Sequence, residues 1–301
     1  VSAKLNRPVL LQRSNERQLP ADYSGDVLIW DIDKTYLDTR FSTWRGLLAI
    51  PFEFAIDKRT IPGAPAVLRA LRRGPGEESA IVPLYFVSGS PPQLRPVVER
   101  RMGLDGVDFD GITFKDQLGL LLGRRLQELR GQVAYKLTAL LAYRLELPQR
   151  SRWLCFGDDA EQDASIFVLF GEICAGLRGS SLGARLRQLK VVEWNVRSLV
   201  ELADSLPAAG GDPVERIFIH LERGHSLDGF VDRRIVPTRS YLQTALVLLQ
   251  MGRISPAAVS TVARDLRLRG MPEATLEQQA ADAQHRLGVG SELLHWAVAA
   301  P

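Results

Sequence analysis

Two carboxylates, Asp31 and Asp33, stand two residues apart directly after the apolar run Val27-Leu28-Ile29-Trp30, and Thr35 follows them. The run reads as a buried strand. Charge at the end of such a strand is costly unless something pairs with it. A cation is the simplest partner, and a carboxylate pair suits Mg²⁺. The plainer alternative is an Asp-rich turn in which Asp38 caps the next helix. Three further polar clusters follow in order: Ser88 after the apolar stretch 81–87, Lys136 inside the apolar run 133–145, and Asp158, Asp159 and Asp163 after 153–156. This inventory suits phosphoryl transfer. A carboxylate can attack phosphorus and form an aspartyl phosphate, and Mg²⁺ neutralises the charge that would repel it. A hydroxyl and an ammonium can hold the remaining oxygens. A second carboxyl can protonate the leaving alkoxide and then activate water.

The elements that must carry these residues alternate between strand and helix. Residues 27–30, 81–87 and 153–156 read as buried strands, with Pro83 near the start of the second. Residues 66–73, 93–102, 118–129, 133–145 and 164–169 read as helices, the first stopped by Gly74-Pro75-Gly76. Residues 105–114 read as a turn and short strand, and Val191-Val192 as a further strand. The expectation is an α/β fold with a doubly wound parallel sheet, whose crevice lies beyond the carboxyl ends of its strands. Residues 1–24 read as a lead-in and 25–194 as the main domain. From Asn195 the character changes: 207–213 is linker-like, 217–221 suits a strand, and 241–251, 256–268 and 276–287 read as amphipathic helices. Residues 195–301 therefore read as a mainly helical accessory region.

Bulk properties narrow the class. The chain has 301 residues, a formal charge of +3, 46% hydrophobic and 24% charged residues, an ordinary soluble globular composition. So small a net charge demands no nucleic-acid partner and suits anionic substrates or surfaces. No apolar run approaches the ~20 residues of a membrane span, and the first twenty residues lack a signal-peptide apolar region, so a cytoplasmic location is expected. Cys155 and Cys174 sit in apolar surroundings and read as buried free thiols. His220, His225, His285 and His295 show no metal-ligand spacing. The stretch 41–60 holds Phe41, Trp44, Phe52 and Phe54 beside Arg40, Arg45, Lys58 and Arg59. It reads first as core or cap packing; a face toward an anionic interface is the alternative and leaves peripheral membrane contact open.

The order of the clusters separates two folds with similar parts. In response-regulator receivers the acidic pair opens the chain, a lone acceptor Asp follows, and Lys comes last; here acids open and close the set. That order resembles the haloacid dehalogenase-like (HAD) superfamily. Its strand then D-x-D-x-T is met by Asp31, Asp33 and Thr35, its strand then Ser/Thr by Ser88, its isolated Lys by Lys136, and its G-D-D-x-x-x-D by Gly157, Asp158, Asp159 and Asp163. Within it, the runs from Phe86 to Leu94 and from Phe156 to Ile166, with Phe114-Lys115-Asp116, resemble the catalytic domain of the actin-patch-type phosphatidate phosphatases, which show V-S-N-S-P-W-Q-L and G-D-D-S-Q-K-D-P-E-I-Y. Lys34 stands where that family usually has a second Asp, and Pro92 where it has Trp.

The resemblance implies a HAD-like, Rossmann-like catalytic domain over 25–194, with 41–60 as a small cap or flap. It implies Mg²⁺-dependent hydrolysis of a phosphomonoester, either a soluble small molecule or a phosphatidate-like lipid. Asp31 is then the nucleophile and Asp33 the general acid/base. Asp31, the Asp33 backbone carbonyl and Asp158 bind the metal with help from Asp159 or Asp163, and Ser88 and Lys136 hold the phosphoryl group. Lys115 is the rival to Lys136; the latter is favoured because a Lys inside an apolar helical run needs a specific partner. Lys34 is expected to face solvent. A phosphotransferase using the same site, or a non-catalytic phosphate- or lipid-binding scaffold, are the alternative functions.

Overall fold

A computed structural model describes residues 11–38, 59–116, 131–207, 210–222 and 231–298. The expected helix over 118–129 and most of the expected cap over 41–60 lie outside these residues. The central strand β2 (Asp26–Asp31) is the apolar run noted above, and Val27, Leu28, Ile29 and Trp30 are fully buried. Successive side chains on a strand point to opposite faces. Leu28 and Trp30 accordingly enter one hydrophobic core and Val27 and Ile29 another. A strand buried on both faces is continuously apolar rather than alternating.

Around β2 the strands β1 (Leu11–Asn15), β3 (Leu84–Ser88), β4 (Gly111–Lys115), β5 (Arg152–Asp158), β6 (Val214–His220) and β7 (Ile235–Thr238) form one seven-stranded sheet in the order β1-β4-β3-β2-β5-β6-β7. Strands β2 to β7 run parallel, and β1 lies antiparallel on the β4 edge. Strands β3 and β4 add on one side of β2, and β5, β6 and β7 on the other. The order of addition therefore reverses between β2 and β5, the place where open parallel sheets leave a crevice beyond their carboxyl ends.

Helices cover both faces. On one side lie α1 (Ala64–Arg73) and α2 (Arg95–Leu104); on the other lie α3 (Gln132–Glu146), α4 (Asp163–Cys174), α5 (Gly179–Gln188) and α6 (Glu193–Asp204). The first face is completed by α7 (Tyr241–Gln250), α8 (Pro256–Leu268), α9 (Glu273–Leu287) and the short α10 (His295–Val298). Helix α1 carries Pro65 in its first turn, where the missing N–H costs nothing, and ends at Gly74 with φ 82°.

Several local expectations change. Residues 11–15 of the lead-in are an edge strand; their sequence, LQRSN, has no apolar alternation because the strand is only half-buried. Val191 and Val192 form no strand and instead join α5 to α6. Helix α5 is hidden in sequence by Gly179, Ser180, Ser181 and Gly183, which are poor helix formers. Among the described residues, 195–301 supplies α7 to α10 and two strands of the main sheet: β6, where a strand over 217–221 is expected, and β7, which is not among the expected strands. Cys155 and Cys174 are buried free thiols. Among the described residues, no helix is long and apolar enough to cross a membrane.

Candidate active site

Asp31, Ser88 and Asp158 are the last residues of the three adjacent parallel strands β2, β3 and β5, so topology alone brings them to one edge of the sheet. All three are buried, as are Lys136 and Asp163. Lys136 reaches the cluster from α3, on the face that also receives Val27 and Ile29. Its Nζ lies 2.8 Å from Asp31 Oδ1 and 2.6 Å from Glu161 Oε2, and it also pairs with Asp163 Oδ1. Burial alone pushes an ammonium toward neutrality, but Asp163, Asp31, Glu161 and Asp158 outweigh it and hold Lys136 charged.

The strand-end turn after β5 sets the other acids. Asp158 Oδ1 accepts the backbone N–H groups of Ala160 and Glu161, the latter at 2.9 Å, the local turn that an Asp side chain favours. Asp163 sits in the first turn of α4, where a carboxylate suits the helix dipole. Its Oδ2 accepts the Asp158 N–H at 3.2 Å. Gly157 makes this approach available: a Cβ there would lie 2.4 Å from Asp163 Oδ2. Asp159 turns elsewhere, accepting the Glu222 N–H at 2.8 Å beyond the end of β6.

Asp33 is held by two serines. Ser88 Oγ donates to Asp33 Oδ2 at 2.9 Å, and Ser90 Oγ lies 3.0 Å from both carboxylate oxygens. The Ser90 N–H donates to Ser88 Oγ at 3.1 Å, and the Tyr135 hydroxyl donates to the Ser88 carbonyl. Burial lifts the Asp33 carboxyl above its ordinary range, Glu161 adds to this, and the serine hydrogen bonds oppose it. Burial also lifts Asp31 well above that range against the pull of Lys136. For Asp158, burial and then Asp163 raise it to about 7.

This charge balance bears on a metal. Four carboxylates act on one ammonium, and Asp31 Oδ2 and Asp158 Oδ2 are buried without a hydrogen-bond donor. Asp31, Glu161 and Asp163 each offer an oxygen within 4.8 Å of the others. An all-oxygen, carboxylate-rich donor set with uncompensated oxygens fits a hard divalent cation.

The expected site residues thus divide. Asp31, Lys136, Asp158 and Asp163 converge; Asp33 and Ser88 bond to each other beside them; Asp159 faces the β6 end. Sequence reasoning passed over Glu161 and Ser90, although both lie in motifs it singled out, because nothing in spacing tells which residue of a turn points inward. Lys115 is buried at the end of β4 and donates to the Gly131 carbonyl at 3.0 Å. Lys34, with φ 61°, pairs with Glu222 Oε2 at 3.1 Å instead of simply facing solvent.

Residues 27–174 match the family model for "Phosphatidate phosphatase APP1, catalytic domain". The matched segment opens at β2, closes at the end of α4 and includes every candidate residue named above except Glu222. Strands β6 and β7 and the helices from α5 onward lie beyond it. No curated protein and no solved structure matches the chain.

Proposed function

We propose that this protein is a Mg²⁺-dependent phosphatase of the HAD-like type, with Asp31 as nucleophile and a phosphatidate-like lipid phosphate as substrate. The observation that carries the chemistry is Lys136 Nζ placed between Asp31, Glu161 and Asp163 at the strand ends. The substrate class rests on the family match. In this reading an Asp31 carboxylate oxygen attacks phosphorus, the P–O bond to the alcohol breaks, and Asp33 delivers a proton to the departing oxygen. Asp33 then takes a proton from water, the water oxygen attacks phosphorus, and inorganic phosphate leaves as the Asp31 carboxylate is restored.

The raised pKa of Asp33 suits this role, because a general acid must still hold its proton near neutral pH. Lys136 offers fixed positive charge to the phosphoryl oxygens and costs no reorganisation, since three carboxylates already orient it. Asp31 and Asp158 are the residues that would hold Mg²⁺, with Glu161 or Asp163 beside them, and the ion would supply neutralisation of the phosphoryl charge. Ser88 and Ser90 orient Asp33 through their hydroxyls. A Rossmann-like arrangement is the reading of the parallel sheet and its reversal at β2 and β5.

The test is phosphate release from phosphatidate vesicles and from a panel of soluble phosphomonoesters, with and without Mg²⁺. Turnover requiring Mg²⁺ and abolished in Asp31→Asn, with the fold intact by circular dichroism, is the expected result. Retained turnover in that variant sinks the mechanism. Turnover of soluble esters without any of the lipid sinks the substrate assignment alone.

A further inference from the structure

The loop after β2 is shaped by its own backbone. Tyr36 and Leu37 N–H donate to the Ile32 carbonyl at 3.0 and 2.9 Å, and Lys34 N–H donates to the Leu37 carbonyl at 2.8 Å. These bonds curl the loop, the Tyr36 hydroxyl donates to Asp105 Oδ2 at the end of α2 at 2.6 Å, and the Ile61 N–H donates to the Tyr36 carbonyl at 3.0 Å. The Thr35 carbonyl is reached from outside: the hydroxyl of Tyr241, 206 positions along the chain, donates to it. Tyr241 opens α7 and is buried. Its ring lies nearly parallel to those of Trp30 and His220, at 5.9 and 5.3 Å. Trp30 immediately precedes Asp31 and stacks on Phe156 at 4.0 Å, two residues before Asp158. Gly63 confines Tyr241 from another side: with φ 84° it is in the left-handed region, and a Cβ there would lie 2.8 Å from Tyr241 Cβ.

We propose that Tyr241 is a positioning residue for the nucleophile loop, its hydroxyl pinning the Thr35 carbonyl so that Asp31 and Asp33 keep their directions. This rests on the reading of Asp31 as nucleophile and extends it, because Tyr241 lies beyond the segment that matches the phosphatase family. The aromatic stack fixes where the phenol ring sits, and the ring's hydroxyl then fixes the loop. Thr35 is itself buried, so no water replaces the lost donor, and a carbonyl left bare there favours a rearranged loop.

Tyr241→Phe keeps the ring and its stacking and removes the hydroxyl. The expected result is a fall of about tenfold in kcat with little change in KM. Amide hydrogen exchange supplies a readout that needs no turnover. In the variant the Tyr36 and Leu37 amides exchange about tenfold faster, while amides in β3 and β5 keep their wild-type rates. Unchanged exchange at Tyr36 and Leu37 overturns the proposal, whatever turnover does. Equal acceleration throughout the sheet also overturns it, since the hydroxyl then serves general stability. If the wild-type protein releases no phosphate from any ester, the phosphatase reading fails while the exchange experiment still decides whether Tyr241 holds the loop.

Discussion

Lys136 Nζ lies 2.8 Å from Asp31 Oδ1, and both side chains are almost wholly buried. A lone ammonium would lose its proton in such a place; the surrounding carboxylates keep it on. The same carboxylates would repel a phosphate ester without this ammonium. One residue therefore compensates the resting cluster and, in the proposed function, offers its charge to an anionic ligand.

Replacing it shows how much compensation it provides. Lys136→Met leaves Asp31, Glu161 and Asp163 without their shared partner, and removing one member of a buried pair costs about 3–5 kcal/mol. Proton uptake by the carboxyls softens this, so a loss of about 3 kcal/mol is expected in metal-free urea denaturation. Added Mg²⁺ recovers part of that loss, because the three acids can then share a different cation. A denaturation midpoint unchanged from wild type argues against the ion-pair geometry.

Gly157→Ala tests the close approach of the strand to α4. Its Cβ would meet Asp163 Oδ2 at 2.4 Å and Asp163 Cβ at 2.5 Å, the second of which cannot yield without moving the helix start. A cost of about 1–3 kcal/mol is expected, as for other overpacked sites. Phosphate release is expected to fall with it, since Asp163 is displaced from Lys136. Gly103→Ala, in α2 with nothing within 4 Å of the added Cβ, is the control. It should be neutral or stabilising by up to about 1 kcal/mol.

Asp158 makes metal-free stability depend on pH in a definite direction. Its carboxyl is raised from an ordinary 3.8 to about 7 in the fold. Across that window the unfolded chain loses the proton before the folded one does, so stability contributed by this group falls as pH rises from 3.8 to about 7. Thermal melts in a chelator should therefore give a lower Tm at pH 7.5 than at pH 5.5. Mg²⁺ should raise Tm more at the higher pH, where the carboxylates are ionised and free to bind it. A Mg²⁺ response equal at both pH values contradicts carboxylate ligation.

The thiols should be silent in the native state. Burial places Cys155 well above its ordinary range and Cys174 at about 12, so thiolate is scarce and the sulfurs are covered. A disulfide reagent at pH 8 is expected to leave the folded protein unmodified and to titrate both cysteines once it is unfolded. Rapid modification of either thiol without denaturant counts against the packing around β5 and α4.

What the sequence determined by itself follows from burial on both faces of the sheet. Such strands are unbroken apolar runs, so β2, β3 and β5 are visible, and the polar residue that ends each run stands out as Asp31, Ser88 or Asp158. Lys136 is visible for a related reason, as a charge inside an apolar helix. The edge strand β1 is not, because it is half-buried and its side chains need no pattern. Only the tertiary structure decided which acids share Lys136. It brought in Glu161, 25 positions away, and turned Asp159 toward Glu222. It also decided that β6 and β7 join the sheet, and so placed Tyr241 against Thr35. These relations are contacts between distant segments, set by how strands order themselves and how helices pack across them. Local spacing carries no record of either. The direction in which each turn residue points is fixed only once the neighbouring strand and helix are in place.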